Sequence, residues 1–287
     1  MTVINTNANS LIAQNALNIN NRGLSKTMEQ LSTGKRINSA GDDAAGLAIS
    51  NKMTAQIRGL NQAVRNANDG ISMIQTAEGA TQEITNMLQR MRELAVQSAN
   101  DTNTDGDRSS LDLEFKDLST EINRISEMTQ FNTKGVLNGG SGGSASVVMK
   151  FQVGANTSQT IDVHFKNMRT ASGGALSSVA WASGSSGFNI TSQISANAAL
   201  KTIDDAIKVV DDYRADMGAK INRLTYAIDN LSNVSMNTSA SRSRILDTDY
   251  AKASAELART QIIQQAATAM LAQANQQPQS VLKLLQG

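Results

Sequence analysis

The chain contains no cysteine, a single proline, a single histidine and only 3% aromatic residues. Without cysteine there is no disulfide framework, no CxxC zinc site and no thiol nucleophile. One histidine, His164, leaves no HExxH zinc site and no two-histidine proton relay. It stands on the polar side of an alternating segment, where a solvated imidazole is expected. No GxGxxG or GxxxxGKS/T loop is present to cradle a phosphate. An excess of one charge is lacking too: 26 Lys and Arg stand against 25 Asp and Glu. That balance excludes a chain whose main task is neutralising nucleic-acid phosphates, and equally a polybasic membrane binder. Long apolar runs are missing, none approaching the roughly 18 residues of a membrane span. No Lys or Arg precedes Arg22 and no apolar core follows the N-terminus, so no cleavable secretory signal is expected. The paired aspartates at 42/43, 204/205 and 211/212 are sequence neighbours, which do not face each other on a helix, and they read as helix starts and solvated faces. No catalytic residue, cofactor or metal is expected, and neither nucleic acid nor membrane as a partner.

What the chain has is 40% hydrophobic residues, carried mostly by Ala, Leu, Ile, Val and Met, the palette of long close-packed helices. Leu17, Leu24 and Leu31 fall seven apart with Met28 between, one stripe of an amphipathic helix that Thr33-Gly34 ends. A second helix is predicted from Asp42-Asp43 towards Asn100, with Ile57, Leu60, Val64, Ala67, Ile71 and Ile74 in the alternating three- and four-residue steps of a coiled-coil seam. Unbroken from Leu47 to Gln97 it would be about 75 Å long at about 1.5 Å per residue. Gly59, Gly70 and Gly79 are read as points of close helix approach rather than breaks. After a polar turn, Leu111, Phe115, Leu118, Ile122 and Ile125 mark a third helix, antiparallel to the second.

Beyond Phe131 the period changes to two. Val147, Met149, Phe151 and Val153, then Ile161, Val163 and Phe165, predict a hairpin turning around Gly154-Ala155-Asn156. Gly/Ser-rich stretches flank it at Asn138 to Ser146 and Ala171 to Gly187, the second a surface loop held down by the lone Trp181. The helical period returns with Leu200, Ile203, Ile207, Val210, Met217, Ile221, Leu224, Ile228 and Leu231, Arg214 taking the skipped position. A last helix carries Leu246, Tyr250, Ala253, Leu257, Thr260, Gln264, Ala267, Leu271 and Ala274, with Pro278 interrupting the pattern near the end. A seam so small and polar buries little apolar area at about 25 cal/mol per Å². Both termini are therefore expected to be ordered only by each other or by neighbouring chains. The fold class expected is mainly α: a long antiparallel helical coiled-coil bundle with a small β-hairpin region and paired N- and C-terminal arms.

Asp101, Asn103, Asp105 and Gly106 match the start of a calcium loop, but its twelfth position is Asp112 instead of a bidentate Glu and Arg108 replaces an apolar residue. Asn, Asp and Gly are equally the residues of a plain turn between helices, the reading preferred. Met28, Met87, Met91 and Met128 lie at or beside seams and read as core filler.

Two long segments of the N-terminal arm, Leu31-Ser-Thr-Gly-Lys-Arg-Ile-Asn-Ser-Ala-Gly-Asp-Asp-Ala-Ala-Gly-Leu-Ala-Ile49 and Gln89-Arg-Met-Arg-Glu-Leu-Ala-Val-Gln-Ser-Ala99, resemble the signatures of bacterial flagellins. Ser241-Arg-Ser-Arg-Ile-Leu-Asp-Thr-Asp-Tyr250 and Ala272 to Leu285 are similar to that family's C-terminal motifs. The resemblance implies an inner domain of paired terminal helices (residues 1–42 and 242–287) and an outer helical domain with a β-hairpin (43–169 and 194–241). A short Gly/Ser-rich loop at 170–193 stands in place of the variable outer domains. It implies a structural subunit of an extracellular flagellar filament, exported unfolded through the flagellar type III channel. The implied partners are further copies of itself, an export chaperone, the filament cap and the hook-junction proteins. Leu17, Leu24, Leu31, Leu246, Tyr250, Leu257 and Leu271 are the expected self-assembly residues. Arg90, Leu94 and Glu114 match the family's recognition motif for Toll-like receptor 5. Val281 to Leu285 resembles a segment sensed by cytosolic immune receptors. A hook–filament junction protein is the nearest rival, against which the length and continuity of both motifs count.

Overall fold

The computed structural model describes residues 7–139, 146–170, 174–181 and 188–285. Among them are five α-helices: α1 (Ala8–Thr33), α2 (Ala44–Ser98), α3 (Asp105–Met128), α4 (Gln193–Leu246) and α5 (Tyr250–Leu285). Two small antiparallel pairs accompany them, β1 (Gln130–Phe131) with β2 (Lys134–Gly135) and β3 (Ser146–Gln152) with β4 (Thr160–Lys166). The chain packs as two compact units, Met1–Ile57 with Met236–Gly287, and Arg58–Ser235.

In the Arg58–Ser235 unit the three-four seams of α2, α3 and α4 form one apolar core that includes Ala67, Ile74, Ile84, Leu88, Met91, Phe115, Ile122, Ile203, Val210 and Leu224. The mainly helical bundle expected from periodicity is what forms. α2 is continuous through Gly59, Gly70 and Gly79, but these do not serve helix contact. A Cβ at Gly70 would come 3.1 Å from the Phe151 ring and one at Gly59 3.0 Å from Ala155, so both make room for the β3–β4 hairpin, while Gly79 faces open space. The hairpin register pairs Val147 with Phe165, Met149 with Val163 and Phe151 with Ile161, one apolar face turned to the core. His164 is exposed.

Four expectations need correction. The skipped seam position on α4 belongs to Tyr213, which is fully buried, while Arg214 lies half-buried beside it. Burial of its ring pushes the Tyr213 phenol well above its ordinary pKa. Met28 and Met128 are exposed rather than core, because the buried slot on α1 is taken by Thr27 and Met128 is the last residue of α3. Leu246 ends α4 instead of opening the last helix, whose first residue is Tyr250. And α5 runs on through residue 278 to Leu285.

The β1–β2 pair went unforeseen: its two turn residues, Asn132 and Thr133, both have positive φ, as a type I′ turn requires, but Thr is an unusual occupant. The Gly/Ser-rich residues 140–145, 171–173 and 182–187, and the side chains of 277–285, among them the Val281 to Leu285 segment, lie outside the described residues.

Candidate functional site

The terminal arms meet as an antiparallel helix pair, α1 against α5. The expected stripe is the one that faces inward: Leu17, Leu24 and Leu31 on α1 and Leu257 and Leu271 on α5 are half-buried, and Thr27, Ala253 and Thr260 are buried. Tyr250 departs from it. Its ring is 58% exposed, and its hydroxyl donates to the Leu31 carbonyl at 3.4 Å. Much of the register is held by amides. Asn7 donates to the Ala274 carbonyl (2.7 Å), Asn20 to the Thr260 carbonyl (2.9 Å), Gln264 to Asn21 (3.0 Å), and the Ser10 hydroxyl to Asn275 (2.9 Å). Asn at seam positions specifies pairing at a cost in buried apolar area, which accounts for the Asn-rich N-terminal segment. Sequence periodicity located Leu, Ala, Thr260 and Gln264 on this stripe but missed Asn7, Asn20, Asn21 and Asn275, since their signal is position and not hydrophobicity.

Residues 31–49 and 241–250 fold together as the joint where both arms change direction. Gly34 ends α1 in the left-handed conformation (φ +70°), the usual helix stop for a residue without Cβ. The chain then pairs with the break between α4 and α5. Lys35 bridges Asp247, the Arg36 amide donates to the Leu246 carbonyl (2.7 Å), the Thr248 amide to the Gly34 carbonyl (3.0 Å), and the Arg36 guanidinium to the Ile245 carbonyl (2.7 Å). Asp42 accepts from Lys26 Nζ at 2.8 Å and from the Asn38 and Ser39 amides at 3.2 and 3.0 Å. The lysine first, then the two amides, hold its carboxyl well below the usual carboxylate range. Asp43 caps α2 by accepting from the Gly46 amide, and Asp249 caps α5 by accepting from the Ala251 and Lys252 amides. Ile37, buried, is the apolar plug, and Gly46 leaves it room: a Cβ there would stand 2.7 Å from Ile37 Cδ1.

Between α1 and α5 runs an open apolar groove of about 540 Å³ lined by Ile12, Ala13, Ala16, Ile263, Ala266 and Met270 among others, with Asn9 and Gln273 as its polar members. Leu11, Ile12, Ile19, Ile262 and Met270 are each more than half exposed. Neither residues 1–21 nor 260–282 contain an Asp, Glu, Lys or Arg.

In the other unit Arg90 and Glu114 are brought together across α2 and α3, Arg90 Nε donating to Glu114 at 2.9 Å while its other arm reaches Glu93. Both stay about half exposed, whereas Leu94, one turn along α2, is buried in the core. Asp101 to Asp107 forms no calcium loop, for α3 already begins at Asp105, inside it. Thr104 and Asp107 form a reciprocal capping box. Arg108 donates to the Ser98 and Asn100 carbonyls at the end of α2, and Asp112 faces inward, accepting from the Ile190 amide (2.9 Å) and Trp181 Nε1 (3.1 Å). This is a plain turn plus a buried latch. Ser119 and Ser126, seven and fourteen residues on, continue it by donating to the Val179 and Met168 carbonyls. Together they fasten the irregular segment whose Leu176, Val179 and Ile190 fill the core.

Residues 4–141 match the sequence profile described as the bacterial flagellin N-terminal helical region, and residues 200–285 the corresponding C-terminal helical region. The chain is 48% identical over 283 residues to a flagellin of Halalkalibacterium halodurans, covering 99% of each chain. It is 45% identical to the flagellar filament core protein flaB2 of Brachyspira hyodysenteriae, over 99% of this chain and 100% of that one. Among solved structures, a flagellin of Bacillus cereus aligns at 28% identity with a TM-score of 0.47, over 58% of this chain and 88% of that one.

Proposed function

The chain belongs to the bacterial flagellin family, and from that premise we propose that it builds its filament through the α1–α5 pair, residues 1–42 and 242–287 forming the inner assembly domain. As a flagellin it is a structural filament subunit of a motility organelle and not an enzyme. The observation that carries the proposal is the open apolar groove between α1 and α5, in a stretch without charged residues, which the described residues leave uncovered. Copies that meet through non-identical patches, groove against helix ridge, extend as an open helical polymer wherever the rotation between them does not close a ring. Leu17, Leu24, Leu31, Leu246, Tyr250, Leu257 and Leu271 serve assembly indirectly, by holding the pair and its joint in the shape a neighbour recognises. Export through the type III channel to the extracellular filament, with an export chaperone, the cap and hook-junction proteins as partners, is proposed on the family resemblance. Residues 43–169 and 194–241 form the outer helical domain in this reading, and 170–193 replaces the larger inserts.

The test is seeded polymerisation followed by light scattering and electron microscopy, comparing the full chain with a form trimmed to residues 43–241. The full chain is expected to elongate seeds into tubes and the trimmed one to leave them unchanged. Elongation by the trimmed form would remove the terminal arms from the mechanism.

A second reading rests on the exposed Arg90–Glu114 pair, which is accessible on the monomer as a ligand of Toll-like receptor 5 would require. Leu94 then acts by holding α2 in place beneath Arg90. Arg90→Ala is expected to lower receptor signalling in reporter cells about tenfold or more, the scale of a buried arginine contact. Signalling equal to the unaltered chain would sink the assignment.

A further inference from the structure

We propose that Met270 is an oxidation switch in the α1–α5 groove: a peroxide acting on the free monomer converts its thioether to the sulfoxide and stops the next copy from docking. The proposal rests on the reading above that a second copy covers the groove. That occupant is favoured by charge, because residues 1–21 and 260–282 carry no ionisable side chain of Asp, Glu, Lys or Arg. A strongly basic or acidic partner would find nothing to pair with on this stretch, whereas the equally uncharged stretch of another copy is a match.

Three observations single out Met270. The residue is 66% exposed, so oxidant can reach it, unlike the buried Met73, Met91, Met168 and Met217. It lines the groove, which the equally exposed Met28, Met128 and Met236 do not. And of the groove residues within two turns of it on α5, Ile263, Ala266, Ala267 and Ala274 offer no side-chain donor, Gln273 alone carrying an amide. A thioether is a soft, polarizable filler that suits such a wall.

In the reaction the sulfur lone pair attacks one peroxide oxygen. The O–O bond breaks as the S–O bond forms, sulfur is oxidised by two electrons, and the other oxygen leaves as water after proton transfer. The product is a polar, chiral sulfoxide whose oxygen must shed its water against a wall made mostly of Ile and Ala when a neighbour docks. Once a neighbour covers the groove the sulfur is shielded, so the switch acts on the monomer before incorporation. A thiol-dependent sulfoxide reductase reverses it.

The experiment treats the full-chain monomer with hydrogen peroxide, locates sulfoxides by peptide mass spectrometry, removes the oxidant and follows seeded elongation. Met270→Leu, close in volume and inert to peroxide, is carried in parallel, together with untreated Ala266→Glu. Oxidised wild-type chain is expected to elongate about tenfold more slowly or worse, and oxidised Met270→Leu, still carrying its other sulfoxides, within about twofold of its untreated rate. Equal loss in both chains overturns the proposal, as does undiminished elongation by chain shown to be oxidised at Met270. Separately, untreated Ala266→Glu elongating normally would overturn the reading of the groove itself, whatever the oxidised samples do.

Discussion

Replacing Ala266 by Glu is expected to stop seeded elongation while leaving the monomer folded. Ala266 is exposed on α5 and lines the apolar groove. In the monomer a glutamate there is solvated, and its helix propensity lies within a few tenths of a kcal/mol of that of other good helix formers, roughly 0.5 kcal/mol at most from Ala. Far-ultraviolet circular dichroism should therefore not change. Docking a second copy would strip water from the new carboxylate, and the uncharged surfaces around it contain no Lys or Arg in residues 1–21 or 260–282 to pair with it. An unpaired buried charge costs several kcal/mol, and at about 1.4 kcal/mol per tenfold the elongation equilibrium falls by about a hundredfold or more. Light scattering with wild-type seeds decides it. Elongation at the wild-type rate would mean that the groove stays open to water in the polymer.

Asp112→Ala is expected to destabilise the Arg58–Ser235 unit by about 2–5 kcal/mol, since it orphans two donors at about 1–3 kcal/mol each. The Ile190 amide is buried, and Trp181 Nε1 is half-buried under Lys116, whose ammonium sits 4.5 Å from the indole centroid. Trp181 is the only tryptophan, so its fluorescence reports the latch directly. A red-shifted emission in native buffer together with a lower urea midpoint is the expected result. Asp112→Asn keeps one acceptor oxygen and should lose about half as much. A midpoint within about 0.5 kcal/mol of wild type and an unmoved spectrum would show that residues 174–181 are held by Leu176 and Val179 alone.

The helices of this protein were legible because their information is local and periodic. Ile57, Leu60, Val64, Ala67 and Ile74 announce a seam by spacing alone, and all are buried or half-buried on one side of α2. The same holds for Ala253, Leu257, Thr260 and Leu271 on α5, and for the alternation of β3 and β4. The misread positions are those where two neighbouring residues both fit a three-four step. Thr27 and Met28 compete for one slot, as do Tyr213 and Arg214, and hydrophobicity ranks the first pair wrongly. Packing and hydrogen bonding to the Gly23 carbonyl favour the threonine.

The joint shows a different gap. Its motif was recognisable as a family signature, yet nothing in the spacing of Gly34, Lys35 and Arg36 says that they fasten the chain to Leu246, Asp247 and Thr248, some two hundred positions away. Asp112 was weighed as a metal ligand because its offset fits one. Its burial between Trp181 and Ile190 depends on where a distant irregular segment comes to rest.

By itself, then, the sequence determined the element types, the helical seams, the hairpin, the lack of catalytic equipment and the family, because periodicity, turn chemistry and long motifs are properties of neighbouring residues. The tertiary structure alone decided that Leu17, Leu24 and Leu31 are spent on pairing α1 with α5, that the open apolar groove is lined instead by residues such as Ile12, Ala13, Ile263, Ala266 and Met270, and that Asp112 is a latch. Which face of a helix meets its partner is set by amide bonds and close packing between segments far apart in the chain, and that choice leaves no periodic trace in either segment.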